Sequence, residues 1–277
     1  MAHCYLTRKG GGGSSANFMT QAQWDALSFN QKQAAGLTLI GVPTDTDGNW
    51  YDFSNLSNTY IDFENPLLSN MSYGSTGIDE VFTATQSGYY LVLNYESVGE
   101  AGNTHRSGAT TTTTGTFAWK DTQSFDFNGT PNQRDTTFDL ALVRLQAGQT
   151  ITLNNNHNNY WAAQVHLVVE AAAEFTATVD MAKSVFVGST TGYQQTFTAS
   201  LTATYIVFAI DNCPSGQQPS STFVLHGAQE LNHYTATINR NSLYIGEYVM
   251  VASDTIDMTT SNNDSYATKS FAAWSTN

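Results

Sequence analysis

Few residues in this chain have the types and spacing that chemistry requires. Six histidines, His3, His105, His157, His166, His226 and His233, fall in no His-x-x-x-His frame, and Cys4 and Cys213 form no Cys-x-x-Cys pair. Neither a zinc centre nor a paired redox thiol is therefore written here, and two distant cysteines suit free thiols in a reducing compartment. Asp45-Thr-Asp-Gly-Asn-Trp-Tyr-Asp52 offers oxygen ligands, but an EF-hand needs Gly at its sixth place and Glu at its twelfth. Here Gly48 is fourth and Leu56 twelfth, so the segment reads as an Asp-Gly turn. No Gly-x-Ser-x-Gly elbow or phosphate loop occurs. The acid pairs Asp79-Glu80 and Asp62 with Glu64 have the residue types of glycoside hydrolysis, which needs two carboxylates across a cleft. Strand-edge acids are more often solvated. The expectation is a protein that is not an enzyme and holds no cofactor.

Contact with a sugar is the better-written chemistry. Asn154–Trp161 is a polar loop tip in which His157, Tyr160 and Trp161 stand among amides. Aromatic rings stack on sugar faces while amides and imidazoles hydrogen-bond the hydroxyls, so these three are candidate glycan contacts. Tyr160 and Trp161 equally suit the start of the following strand. A second stretch, Gly99–Gly115, is long for a loop in a compact sandwich and reads as a contact loop. His166 alternates with Val165 and Leu167, which places it on the opposite face of a strand from them: a surface residue, or one on a trimer axis.

The elements that must carry these residues follow from composition. The chain has 277 residues, with charged residues at 12% and hydrophobic ones at 40%. That charge is about half the roughly 25% of ordinary soluble domains, and Thr, Ser, Asn, Gln and Gly take its place. Thr fits a pleated surface and Asn and Gly fit turns, whereas helical bundles are written in Glu, Lys and Arg. Net charge is −13 with ten scattered cations, which excludes the clustered Lys and Arg that duplex nucleic acid or an anionic membrane requires. No apolar run is long enough for a membrane span or a secretory signal.

Three regions result. Residues 1–41 read as an N-terminal arm with a short helical element: Gly10 to Gly13 are too entropic to order alone, while Thr20 with Gln23 forms a capping box flanked by a Met19–Trp24 staple. From residue 50 onward, short alternating runs such as Tyr89–Asn94, Phe138–Leu142 and Tyr205–Ile210 predict strands separated by polar turns. Phe82–Leu93 aligns without gaps on Phe197–Phe208, and Leu145–Leu153 matches Leu243–Val251 in the same order. The fold class expected is mainly β, with two tandem sandwiches over 42–170 and 171–277.

Met19-Thr20, Ala22, Trp24, Ala26-Leu27-Ser28, Lys32 and Gly36-Leu37 resemble a short element of tailed-bacteriophage head-fibre and other appendage proteins. The turn-then-strand succession of residues 75–170, repeated more faintly in 190–277, resembles the C1q/tumour-necrosis-factor-like jelly roll, a trimer-forming sandwich. These resemblances imply a structural protein of the virion, made in the host cytoplasm without an export signal. Such a protein would attach to capsid or tail proteins through its arm (Tyr5, Leu6, Arg8, Trp24, Leu27 and Phe29) and form a homotrimer whose axis the surplus aromatic residues line. A head fibre or capsid decoration protein is the first expectation. A tail or baseplate receptor-binding protein that binds host surface glycans is the alternative.

Overall fold

Alternation of apolar and polar residues commits the chain to strands, and the computed structural model is all-β. It describes residues 3–8, 17–20, 37–39, 61–99, 107–129, 132–156, 162–172, 174–187, 193–212, 221–238, 241–260 and 268–276, with no helix among them. Near the N-terminus, β1 (His3–Arg8) is the middle strand of a three-stranded antiparallel sheet, between β2 (Asn17–Thr20) and β3 (Leu37–Leu39). Tyr5 pairs with Phe18, Leu6 with both Asn17 and Leu39, and Arg8 with Leu37. The expected helical element is not supported. Met19 and Thr20, read as staple and cap, are strand residues opposite Cys4 and His3. Residues 21–36, which hold the rest of the expected helical element, lie outside the described residues. Trp24, Leu27 and Phe29 lie outside the described residues.

The body contains two copies of one topology. The first copy comprises β4 (Leu68–Gly74), β5 (Asp79–Thr83), β6 (Gly88–Gly99), β7 (Ala109–Thr113), β8 (Thr116–Gly129), β9 (Asn132–Leu145), β10 (Thr150–Asn155) and β11 (Ala162–Ala171). These form a five-stranded sheet in the order β4-β11-β6-β9-β8 and a three-stranded sheet β5-β10-β7. The second copy comprises β12 (Ala177–Val187), β13 (Tyr193–Thr198), β14 (Ala203–Asn212), β15 (Ser221–His226), β16 (Gln229–Ile238), β17 (Asn241–Met250), β18 (Thr255–Thr260) and β19 (Thr268–Thr276). Its sheets run β12-β19-β14-β17-β16 and β13-β18-β15, the first copy's orders with eight added to every strand number. Every pairing between these strands is antiparallel among the described residues, and each copy is a jelly-roll-like sandwich.

Detail repeats as well as topology. Tyr90 donates its hydroxyl to the Gln86 carbonyl at 2.7 Å, and Tyr205 does the same to Leu201 at 2.8 Å. Phe82 packs on Tyr90 and Phe197 on Tyr205, with ring centroids 5.4 and 5.3 Å apart. A bulge interrupts β8 between Phe117 and Trp119 and β16 between Glu230 and Asn232. The ladders correct one alignment, however. Leu145 lies opposite Gly88 and Met250 opposite Ala203, so the counterpart of Leu145 is Met250 rather than Leu243. The Gly99–Gly115 stretch is also shorter as a loop than expected. Ala109–Thr113 is β7, pairing with β10, because its alternate residues Ala109 and Thr111 are buried.

Two small cores lie inside the sandwiches, one around Tyr90, Val92, Ile151 and Leu153 and one around Tyr205, Val207, Tyr248 and Met258. The most extensive core lies between the sandwiches. Leu91, Leu93, Tyr95, Phe138, Leu140, Val165 and Leu167 of the first five-stranded sheet meet Ile206, Phe208, Ile210, Leu243, Ile245 and Trp274 of the second. Phe138 stands edge-on to both Phe208 and Trp274, at centroid distances of 5.2 and 5.8 Å. The layers therefore contain three, five, five and three strands. Polar ties cross the seam: Tyr95 Oη to Ser270 Oγ at 2.8 Å, Trp274 Nε1 donating to Asp121 Oδ2 at 2.8 Å, and Asn241 Nδ2 donating to the Ser72 carbonyl at 2.6 Å. Tyr95, Phe138, Phe208 and Trp274, part of the aromatic content read from sequence as a surplus, are buried within one chain.

Candidate functional site

The loop that carries His157, Tyr160 and Trp161 joins β10 to β11, and residues 157–161 themselves lie outside the described residues. Its two anchoring strands are well defined, and beneath them the first sandwich is polar where its other end is apolar. Alternation makes this inevitable once the pairing is known: Asn94 of β6, Asp139 of β9 and His166 of β11 all point between the two sheets, opposite the face bearing Leu93, Leu140 and Val165.

His166 is fully buried, which corrects its reading as a surface residue. Its Nδ1 lies 2.8 Å from Glu80 Oε2, and its Nε2 contacts Asn155 Oδ1. Glu80 Oε1 accepts from Asn70 Nδ2 at 2.8 Å, and Asn155 Nδ2 donates to Asn94 Oδ1 at 3.1 Å and to the Tyr95 carbonyl at 3.3 Å. Burial holds the imidazole pKa below the ordinary histidine range; the Glu80, Asp79 and Glu96 carboxylates pull the other way without overcoming it. Around this chain, other polar groups clamp loop ends. Glu96 Oε2 accepts from Gly108 N at 2.6 Å, Gln164 Oε1 accepts from Ile78 N at 3.1 Å, and Gln164 Nε2 donates to the Thr76 carbonyl at 3.1 Å. Asp139 Oδ2 accepts from Thr111 N at 2.7 Å and faces Lys120 Nζ at 2.8 Å.

What this arrangement does is hold backbone. Both nitrogens of His166 face side-chain oxygens inside the sandwich, and the ring is fully buried, so neither nitrogen is open to an incoming ligand. Asp79 is exposed while Glu80 points inward to His166, because neighbours on a strand face opposite ways. These two acids therefore do not confront each other across a cleft. Asp62 accepts from the Asn65 side chain at 3.1 Å in a turn where Glu64 is exposed. Among the described residues there is no cluster of three or more His, Cys, Asp or Glu placed to hold a metal.

The second copy shows that the fold does not demand this network. By strand register the counterparts of Asn94, Asn155 and His166 are Ala209, Thr260 and Phe271. The same end of the second sandwich buries a different polar set, including Asp211 and Lys269 at the places of Glu96 and Gln164, so the His166 network is what distinguishes the first sandwich, where the sequence places its aromatic loop. Sequence reasoning missed Asn70, Asn94, Asn155 and Glu80 as members of the site. The available signal was polar residues on the inward face of otherwise apolar strands. Of the arm residues expected to attach to a virion, Tyr5, Leu6 and Arg8 are on β1, the middle strand of the small sheet. The calcium-like Asp45–Asp52 segment lies outside the described residues. No protein family, curated protein or solved structure matches this chain.

Proposed function

We propose that this chain is a non-enzymatic structural protein of a tailed-phage virion, a head fibre or capsid decoration protein anchored through residues 1–41 and displaying its two sandwiches. The observation that carries this reading is the fusion of two jelly-roll-like copies, back to back, into one four-layer body whose buried acids and histidine are committed to holding loops and strands. Such a body is suited to rigid display. The resemblance of residues 19–37 to a phage appendage element supplies the attachment role, and three copies joined as a homotrimer would gain avidity from three arms. Since the large-sheet apolar faces are covered within the chain, contacts between copies fall to the arm and the outer surfaces. Deleting residues 1–41 is expected to leave a soluble β-rich protein that no longer joins particles; normal incorporation of the truncated protein would refute the anchor. Light scattering on the intact chain tests the trimer.

A second reading, a tail or baseplate protein that binds host glycans, is favoured by the polar clamp beneath the 157–161 loop. A clamp of this kind fixes the ends of a contact loop and so lowers the ordering cost of binding. Saturable glycan binding that Trp161→Ala abolishes would support it.

A further inference from the structure

Four positions that correspond by strand register carry opposite chemistry in the two sandwiches. In the first they are Thr111, Phe117, Lys120 and Asp139, and they close on each other. Lys120 Nζ lies 2.8 Å from Asp139 Oδ2 and 5.2 Å from the centre of the Phe117 ring, and donates to the Thr111 carbonyl at 3.2 Å. In the second copy the same positions hold Phe223, Glu230, His233 and Tyr244. Phe223 and Tyr244 are stacked with centroids 4.1 Å apart and planes 20° apart; His233 and Tyr244 are stacked at 4.9 Å and 18°. A ring has two faces, so two near-parallel neighbours this close put Tyr244 between them. Glu230 accepts from the Tyr244 hydroxyl at 3.2 Å and the Tyr248 hydroxyl at 3.4 Å, and its other oxygen lies 2.8 Å from His233 Nδ1.

The cluster stands where β16, the edge of the five-stranded sheet, reaches past β15, the edge of the three-stranded one. His233 and Glu230 keep 39% and 31% of their side-chain surface exposed, and His233 Nε2 has no hydrogen-bond partner among the described residues. The first copy builds the same corner from an ion pair, so the stack is not a requirement of the fold. A half-exposed imidazole beside a carboxylate is suited to a ligand with a flat C–H face and vicinal hydroxyls. The carboxylate and the net charge of −13 disfavour anionic ligands, nucleic acid included.

We propose that the β15–β16 edge of the second sandwich is a binding site for a neutral pyranose unit of an oligosaccharide, stacked on the face of His233 turned away from Tyr244, with its hydroxyls donating to Glu230. This site is separate from the 157–161 loop and holds whichever virion surface carries the protein. The test is calorimetric titration of the intact chain with short neutral oligosaccharides of glucose, galactose, mannose and N-acetylglucosamine. Expected is saturable binding of at least one, with Kd in the roughly millimolar range or tighter. His233→Ala and Glu230→Gln, each verified as folded by circular dichroism, should weaken it about tenfold or more, and Glu64→Gln, exposed in the turn before the first sandwich, should leave it unchanged. Absence of heat from every sugar overturns the site without touching the virion assignment, which is read from particle incorporation. Binding that survives both variants, or that is lost only in Trp161→Ala, also overturns it while leaving the loop reading intact.

Discussion

At His166 a single side chain ties three strands together: it belongs to β11 and touches Glu80 of β5 and Asn155 of β10. Its pKa is lowered by burial, so the sign of its effect on stability is fixed. Below a pH of about 6.5 the unfolded chain takes up a proton here that the folded chain refuses, and stability falls as the pH drops. Urea midpoints measured at pH 7.5 and 5.5 should therefore decrease with acid, and His166→Gln should shrink that decrease; an equal decrease in the variant would refute the assignment. Legibility at this scale was partial. Alternation with Val165 and Leu167 gave the face of His166, since side-chain period is a property of one strand. Its burial came from β5 and β10, which the local sequence around position 166 does not mention.

Among the elements, the turn before β10 and the turn before β18 show how far a repeat constrains geometry. Gly148 and Ser253 occupy the same place, both with positive φ, 86° and 83°. Their amides donate to the carbonyls of Ala84 and Ala199, at 2.8 and 3.0 Å. Glycine is at ease there and serine is strained, so Ser253→Gly should raise stability by about 0.5–1 kcal/mol in chemical denaturation. An unchanged or lowered midpoint would show that the turn relaxes around serine. Strands such as β6, β9, β11 and β14 were readable because each pairs apolar alternation with flanking turn residues. β7 was not, since its Ala109-Thr-Thr-Thr-Thr113 run has no apolar stripe and becomes a strand only by pairing with β10. The helical element is not supported: of the residues that suggested it, Met19 and Thr20 are paired in β2.

Over the whole molecule, the seam between the sandwiches dominates stability. Trp274 is fully buried there, donates to Asp121 and packs against Phe138 and Phe208. Trp274→Ala should cost about 3–5 kcal/mol by leaving a cavity and removing the indole donor from Asp121 Oδ2. Because that core belongs to both copies, calorimetry of the intact chain should show one cooperative transition that Trp274→Ala shifts as a unit; two resolved transitions would contradict a shared core. Ala171, Phe175 and Ala177 are buried in the same seam, so the chain is anchored to the body where one copy gives way to the next. By itself the sequence determined the all-β character, the duplication and most strand faces, because period-2 patterning and turn chemistry are local. Only the tertiary structure decided that the two large sheets cover each other, that a buried histidine network belongs to one copy and an aromatic corner to the other. Those outcomes depend on which distant strands become neighbours, and no short window of residues encodes that choice.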